Sequence, residues 1–405
     1  AAGANVAIKD NSTVTGEVTG AGNVTVSTDS NVGDGQTDPY PFETNGKRYA
    51  TLKEAINDVT DGGTIKLLSN VDNAVGVSVP SGKNFTLDFN GKTYTLKDPG
   101  AGSAGTESNG FQLLKDSTIT FKNGTIKVAP GNSSIKRIIQ NYANLTLENM
   151  QIYAANQVGG EDYPLSFNNG NIVFKGNTSI ITSSDSNIAF DVCKFSSYPS
   201  TTVTFDESYT GTINGKIVYD ATDANTHKLT IKGNGTLGKI EASSGSESAA
   251  KDAIEVSGGR FTAPVNKDYL APGYNFELKS NDGTYSYYPT LDAAKEAAKV
   301  YGGTITNLND NTTTVVPPSP NAPEKPNGST GSSSTVQQME EREKPDPADK
   351  KAMEEYNFWM QVKSKIRATA EGKTLRLNVP KEITNLPASV METLRKENVS
   401  LRLNW

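Results

Sequence analysis

A short strand-like pattern recurs seven times in the first two thirds of this 405-residue chain. Each copy alternates apolar and polar residues over four or five positions, which is typical of a β-strand with one buried face. The copies begin 33, 27, 27, 30, 27 and 24 residues apart. They are NFTLDF (84–89), STITFK (117–122), NLTLEN (144–149), NIVFKG (171–176), TTVTFD (201–206), KLTIKG (228–233) and DAIEVS (252–257). This period predicts a solenoid, because no single repeat can bury its apolar face alone.

Turn residues and further short apolar runs follow most copies, so three strands fit into each repeat. Asn-Gly turns come directly after the first two copies, at Asn90-Gly91 and Asn123-Gly124. We therefore predict an all-β fold, a single-stranded right-handed parallel β-helix of about ten coils with a small C-terminal α/β tail. An array of β-sandwiches with hairpins at the Asn-Gly turns is the alternative.

Composition divides the chain into four parts. Residues 1–44 are β-rich and are expected to add coils, and residues 45–314 form the β-helix. Residues 315–345 are rich in Pro, Ser and Gly and predict a linker. Charge rises sharply near the C-terminus, where residues 340–405 hold 24 charged residues. Residues 346–405 predict a small α-β-α-β module with parallel strands.

A unit made of a helix, a Gly-Gly pair and a strand occurs twice, at 49–68 and 288–308. In the first copy Leu52, Ala55, Ile56 and Val59 share one helical face. Thr51 and Glu54 make a capping-box pattern at its start. Because a solenoid exposes unpaired strand edges at both ends, we expect these units to close the ends.

Charge and rare residues exclude several classes of function. The net charge of −6 gives no basic face, so nucleic acid is not expected as a partner. The single cysteine, Cys193, rules out an intrachain disulfide. The single histidine, His227, rules out a zinc site with several His ligands. No stretch of 18 apolar residues exists, so no membrane insertion is expected.

Three segments carry a resemblance to a known family. They are TLKEAINDVTDGGTIKLLSNV, SGKNFTLDFNGKTYTL and STITFKNGTIKV. Together they resemble the pectin-lyase-like right-handed β-helix modules of Gram-positive cell-surface proteins, of the kind found in gut Firmicutes. The tail, KTLRLNVPKEITNLPASVMETLRKENVSLRLNW, resembles a small module near the C-terminus of such proteins. The resemblance implies a β-helix that is secreted or associated with the cell wall, although fold alone does not establish activity.

Acidic residues in the middle coils are the catalytic candidates if the chain is an enzyme. Asp191, Asp206 and Asp220 could fall on neighbouring coils, with Lys194 as a basic partner. Glycoside hydrolysis needs two carboxyl groups, and calcium-dependent lyases need clustered acids with a basic residue. These acids do not repeat at a constant position in the coil, so solvated turn residues are the competing interpretation. No cofactor is expected, with calcium as the open alternative.

Aromatic residues in the same coils are the ligand-binding candidates. Tyr198, before a proline, and Tyr209, beside Thr-Gly, are expected to be the exposed pair, with Asp185 as a polar neighbour. Sugar sites use aromatic faces beside hydrogen-bonding groups. The competing interpretation places these rings in the core of the β-helix.

These observations predict a non-enzymatic, adhesin-like scaffold outside the cell. Its β-helix face would bind a polysaccharide, a host or bacterial surface glycan, or another surface protein. The alternative is a polysaccharide lyase or glycoside hydrolase acting on a plant or host glycan. A pure spacer is the third interpretation.

Overall fold

A computed structural model gives the fold of the chain. It describes residues 38–102, 107–130, 134–154 and 163–319 without gaps. Outside these ranges it describes short strands before residue 33 and parts of the tail after residue 349. The chain divides into two units, Ala1–Pro317 and Pro318–Trp405. This boundary lies three residues from the predicted end of the β-helix. Most of the predicted linker, residues 320–345, lies outside the described part.

Four short strands come first: β1 (Val6–Ile8), β2 (Thr13–Val14), β3 (Val24–Val26) and β4 (Asn31–Val32). β1 pairs with β3 and β2 pairs with β4, both in parallel. Each pair is offset by 18 positions, as from Val6 to Val24. The residues between these strands lie outside the described part, so the expectation of extra coils in residues 1–44 stays a prediction.

The first end unit contains a hairpin, a helix and a strand. These are β5 (Phe42–Thr44), β6 (Lys47–Tyr49), α1 (Leu52–Asp58) and β7 (Gly63–Leu67). Thr51 and Glu54 form the expected capping box. The four apolar residues predicted to share one face of the helix are all buried. β5 pairs antiparallel with both β6 and β7.

Twenty further strands continue the chain to residue 261, with one helix among them. They are β8 (Val71–Val75), β9 (Val77–Val79), β10 (Asn84–Asp88), β11 (Thr93–Asp98), β12 (Asn109–Leu113), β13 (Thr118–Val128), β14 (Arg137–Asn141), β15 (Asn144–Ala154), β16 (Leu165–Phe167), β17 (Gly170–Lys175), β18 (Ser179–Thr182), β19 (Ile188–Cys193), β20 (Thr201–Phe205), β21 (Thr212–Asn214), β22 (Lys216–Asp220), β23 (His227–Ile231), β24 (Thr236–Leu237), β25 (Ile240–Ala242), α2 (Glu247–Ala253), β26 (Ile254–Val256) and β27 (Arg260–Phe261).

These strands stack into three parallel ladders. Ladder A runs β7, β10, β13, β15, β17, β20, β23, β26. Ladder B runs β8, β11, β13, β15, β18, β21, β24, β27, because β13 and β15 are long enough to serve both. Ladder C runs β9, β12, β14, β16, β19, β22, β25. The chain is a β-solenoid of about ten turns with parallel strands, as the repeat predicts.

Apolar side chains of the three ladders fill the inside of the coils. In ladder A the pairs Phe85 with Ile119 and Leu87 with Phe121 stack from coil to coil. Aromatic rings meet face to face where Phe174 and Phe205 lie 4.5 Å apart at 11°. This fits the expectation that a single coil cannot bury its apolar face without its neighbours.

Asparagines turn the corner between ladders A and B. Asn90, Asn123 and Asn149 have φ of 51°, 59° and 53°, the left-handed conformation that Asn tolerates better than most residues. The Nδ2 atom of Asn149 donates to Oδ1 of Asn123 at 3.5 Å, and Oδ1 of Asn149 accepts the N–H of Asn177 at 3.0 Å. The Asn-Gly positions are therefore corners between parallel ladders rather than hairpin turns.

Charged residues of opposite sign alternate along the outer edge of ladder A. The series, here called the charge ladder, is Lys66, Asp88, Lys122, Glu148, Lys175, Asp206 and Lys232. The Nζ atom of Lys122 lies 3.5 Å from Oδ2 of Asp88, and the Nζ atom of Lys175 lies 3.7 Å from Oδ2 of Asp206. Each inner member therefore has an opposite charge on both neighbouring coils.

A second end unit follows β27. It contains β28 (Phe276–Ser280), β29 (Tyr285–Tyr288), α3 (Leu291–Ala298), β30 (Gly303–Asn307) and β31 (Thr313–Val316), after a short 3₁₀ helix at Lys267–Tyr269. β28 pairs antiparallel with β29 and β30, and β31 pairs antiparallel with β30. One pair, Phe261 with Tyr285, joins β29 to the last coil. The unit lies at the end of the solenoid, where the repeated sequence predicts it.

The tail unit contains α4 (Lys350–Arg367), β32 (Thr374–Asn378) and β33 (Ser400–Asn404). β32 and β33 are parallel, as predicted. Trp359, Val362 and Ile366 of the helix are buried in a small apolar core of their own. In the region of the predicted second helix, residues 389–390 and 393–394 are helical, and the positions around them lie outside the described part.

We expect Lys122→Glu to lower the free energy of unfolding by about 1 kcal/mol, because it puts three acids in a row where like charges oppose each other. Urea unfolding at low ionic strength measures this loss. In about 1 M salt the loss should shrink, since the Debye length falls to about 3 Å. Lys53→Glu, on the exposed side of α1, is the control and should cost less. Equal losses for the two variants at low salt would contradict a role for the charge ladder.

Candidate functional site

Two of the three predicted acids lie on one outer face of the solenoid, and the third does not. Asp191 is in β19 and Asp220 ends β22, the next strand of ladder C. Register places Val218 opposite Asp191 and Asp220 opposite Cys193. The Cα atoms of Asp191 and Asp220 are therefore one strand and two residues apart, about 8 Å. Asp206 belongs to the charge ladder at the end of ladder A, so it does not share this face.

The Asp191 carboxylate is buried although it points away from the core. Its neighbours Phe190 and Val192 face inward and are fully buried, so Asp191 faces outward by alternation. The phenol of Tyr163 covers it and donates to Oδ2 at 2.5 Å, and the N–H of Phe167 donates to Oδ1 at 3.2 Å.

Burial raises the pKa of Asp191, and its hydrogen-bond donors and a nearby guanidinium oppose the shift. That guanidinium belongs to Arg137, whose Cζ lies 3.4 Å from the centroid of the Tyr163 ring. A buried carboxyl with a raised pKa costs stability when ionised, and such groups concentrate at functional sites. Of the three predicted acids, Asp191 therefore shows the strongest physical indication of a functional role.

Three aromatic rings lie beside Asp191 on the same face. We call Tyr142, Phe195 and Tyr198 the aromatic shelf. The rings of Tyr142 and Tyr198 stack at 4.8 Å and 29°. Phe195 lies 6.4 Å from Tyr198 at 26°, and it is 47% exposed. Tyr142 is nearly buried beneath the other two. The shelf therefore presents an aromatic surface formed by residues that follow β14 and β19, in which the ring of Phe195 is tilted by 55° against that of Tyr142.

Tyr198 is partly exposed, as expected, but the expected exposure of Tyr209 is wrong. Tyr209 is fully buried, and its ring lies edge-on against Phe205 at 4.7 Å. Gly235 makes room for this ring, since a Cβ there would lie 2.1 Å from Cε1 of Tyr209. The Tyr209 hydroxyl has no hydrogen-bond partner among the described residues. Tyr209 is therefore a core residue, because the space beside Gly235 accommodates its ring.

Asp185 and Lys194 occupy separate positions. Oδ1 of Asp185 accepts a hydrogen bond from Nδ2 of Asn214 at 2.5 Å, in the turn between ladders B and C. Lys194 follows β19 directly and is exposed, with its backbone N–H donating to the carbonyl of Asp220 at 3.0 Å. Lys194 thus lies beside the shelf, and Asp185 does not contact any shelf residue by a described hydrogen bond or ring contact.

Cys193 and His227 lie near the same face. Burial raises the pKa of the Cys193 thiol to about 12, with Asp191 and Asp220 adding to the shift. His227 is 1% exposed, and its Nε2 atom has no partner among the described residues. Burial lowers the pKa of His227, with Lys194 adding to the shift and Asp223 opposing it. The Cys193 thiol stays neutral because of its raised pKa, and a neutral thiol is a poor nucleophile.

Arg137, Tyr142 and Tyr163 are parts of the site that the sequence prediction did not single out as a group. They precede Asp191 by 28 to 54 positions and reach it only through the stacking of coils. Aligning the coils on the ladder C strands would have placed Gln140, Ser166 and Asp191 in one row. The unequal coil lengths hide this row in the linear sequence.

Among the described residues, no group of three or more His, Cys, Asp or Glu side chains is placed to hold a metal ion. The calcium alternative therefore stays a prediction. In the same part of the chain, no helix has both the length and the apolar character needed to cross a membrane.

Searches against protein-family models, curated proteins and solved structures found no match to this chain. The fold assignment therefore depends on the ladders alone, and the family resemblance stays a prediction.

We expect Asp191→Asn to change how stability depends on pH. The folded chain holds the Asp191 proton more tightly than the unfolded chain, where the pKa is about 3.9. This carboxyl therefore contributes most below about pH 4, and its contribution is lost as the pH rises through its folded pKa. Relative to the parent chain, Asp191→Asn should gain stability as the pH rises above about pH 4, where only the parent must ionise or keep protonated a buried carboxyl, measured by urea unfolding. Asp61→Asn, in an exposed turn, is the control. A difference that is constant with pH would contradict this account.

The single histidine allows a direct check of the interior of the solenoid. Because burial lowers the pKa of His227, its ring should titrate below the unfolded value of about 6.5. Stability from this group is present above about pH 6.5 and falls as the pH drops through its folded pKa. An NMR titration of the only imidazole signal measures this pKa without assignment. A pKa at or above the unfolded value of about 6.5 would show that His227 is not buried as described.

Proposed function

We propose that this chain is a non-enzymatic scaffold at the outside of the cell, and that the aromatic shelf binds a sugar ring of a glycan. The observation that carries the proposal is the stack of Tyr142 under Tyr198, with Phe195 exposed beside it. Aromatic faces pack against the apolar face of a pyranose. A stack fixed by a second ring is held in place before the ligand arrives, which lowers the entropy lost on binding.

Polar groups beside the shelf favour a ligand that has both an apolar face and hydrogen-bonding groups. Asp220 and Lys194 are exposed next to the rings and can hydrogen-bond with sugar hydroxyls. Asp191 holds the Tyr163 phenol, and the Arg137 guanidinium stacks on that ring. Binding sites of this type combine an apolar surface with a few placed polar groups.

Rigidity supports the role as a scaffold. The ladders form one continuous stack with an interior of apolar side chains from coil to coil. A solenoid of this kind presents an extended surface in a fixed position. The sequence resemblance to β-helix modules of Gram-positive surface proteins supports a place outside the cell, in secreted or wall-associated form.

One observation favours the enzymatic alternative, a glycoside hydrolase or polysaccharide lyase. Asp191 and Asp220 lie on the same face of neighbouring coils, with Cα atoms about 8 Å apart, and inverting glycosidases use two carboxyl groups that flank one glycosidic bond. Against it, Tyr163 covers the Asp191 carboxylate, and Asp206 lies on the charge ladder instead. We therefore place binding first.

Tyr198→Ala and Phe195→Ala should each weaken glycan binding at least about fivefold, since an aromatic contact is worth about 1 kcal/mol or more. A glycan array followed by calorimetry on the best ligand measures this. The Tyr153→Ala variant is the matched control, because Tyr153 is 42% exposed on ladder B, outside the shelf. Unchanged binding in both shelf variants would sink the proposal.

The same ligands should be incubated with the parent chain, with and without calcium. Reducing ends and unsaturated uronates are the products of the two enzymatic alternatives. Product release that disappears in Asp191→Asn and Asp220→Asn would replace the binding proposal with the enzymatic one.

A further inference from the structure

In both end units a Phe at the start of the hairpin pairs with a Tyr at its end, although the second hairpin is longer. In the first unit Phe42 of β5 lies opposite Tyr49 of β6. In the second unit Phe276 of β28 lies opposite Tyr288 of β29. In both units the helix begins after a threonine whose hydroxyl accepts the backbone N–H three residues later, at 3.2 Å.

The strand after the helix also matches. Residues 63–66 read Gly-Thr-Ile-Lys, and residues 303–306 read Gly-Thr-Ile-Thr. The glycines just before them, Gly62 and Gly302, share a φ of 71°. Both strands, β7 and β30, pair antiparallel with the first strand of their own hairpin. The two units therefore share one topology, and the pairing of their first and third strands begins in the same register, with Phe42 opposite Leu67 and Phe276 opposite Asn307.

The free edge of this strand is used differently in the two copies. In the first copy β10 adds in parallel to β7, with Leu87 opposite Ile65, and so begins the solenoid. In the second copy β31 adds antiparallel to β30, with Thr314 opposite Ile305. β31 thus occupies the edge on which the first copy builds its first coil.

β31 covers this edge as a short strand with no fully buried side chain. It has four residues, of which Val315 is 76% exposed, and among the described strands it pairs with β30 alone. Pro317 and Pro318 follow at once and end its pairing, because proline has no N–H to donate. Of its side chains, Val316 packs against the small core of this unit. By contrast, β10 buries both Phe85 and Leu87.

We propose that the edge of β30 is a docking site for an extended peptide strand, and that β31 is a displaceable cover over it. The partner is a strand with the alternating apolar and polar pattern of β10, added in parallel. Strand addition of this kind takes its affinity from backbone hydrogen bonds and its specificity from alternate side chains. The occupant is seen in place on the equivalent edge of the first copy.

The probe is a synthetic peptide of residues 82–91, Gly-Lys-Asn-Phe-Thr-Leu-Asp-Phe-Asn-Gly, which contains β10. We would measure its binding to the parent chain and to a full-length variant that lacks residues 312–316 and therefore lacks β31. A variant lacking residues 326–330, in the Pro/Ser/Gly-rich segment, removes the same number of residues elsewhere and is the control. The variant without β31 should bind the peptide at least about tenfold more tightly than the control. A peptide with Leu87→Pro should not bind.

Equal binding by the two deletion variants would overturn the proposal. Amide hydrogen exchange on the unmodified chain gives a second test that needs no deletion. The amides of β31 should exchange about a hundredfold faster than those of β28, because local opening frees the cover without unfolding the unit. Exchange of β31 and β28 at the same rate would show that β31 is a fixed part of the sheet, and would overturn the role of a displaceable cover.

Discussion

Backbone hydrogen bonds between successive coils align most side chains of the strands with their counterparts one coil away. Because the ladders are parallel, positions of a strand that stay in register form a column of side chains along the solenoid. Neighbouring side chains of a column must therefore be compatible in size and charge at the strand spacing of about 4.8 Å. Apolar residues inside, asparagines at the corner and alternating charges at the edge of ladder A all meet this condition. The regularity of the solenoid depends on it.

The shelf and Asp191 depend on the same alignment and also depart from it. Tyr142 and Asp191 come together because β14, β16 and β19 are neighbours in ladder C. Asp191 breaks the rule for columns, since a buried carboxyl faces outward beneath a phenol where a polar group would normally be hydrated. Such departures are expected at a functional site. Elsewhere in a protein, local propensity, hydrophobic pattern and core packing favour the same structure.

Much of the fold could be predicted from the sequence, and parts of the site could not. Alternation over four or five residues identified the strands of ladder A, and the repeated Thr-Leu and Gly-Gly pattern identified both end units. Those signals are local. The contact of Tyr163 with Asp191 spans 28 positions across coils of unequal length, so no local pattern reports it. The Thr-Gly after Tyr209 predicts an exposed ring. In the structure, Gly235 on the next coil leaves space in the core, and the Tyr209 ring fills it.

The charge ladder has a consequence for how such a solenoid can change in length. Its signs alternate from coil to coil, so the series has a period of two coils rather than one. Loss of a single inner coil would bring two like charges together, as Asp88 and Glu148 would meet if the coil of Lys122 were absent. Loss of two adjacent coils would leave every neighbour opposite in sign. Electrostatics therefore favours solenoids of this sequence that shorten or lengthen by pairs of coils, a parity that the backbone alone does not impose.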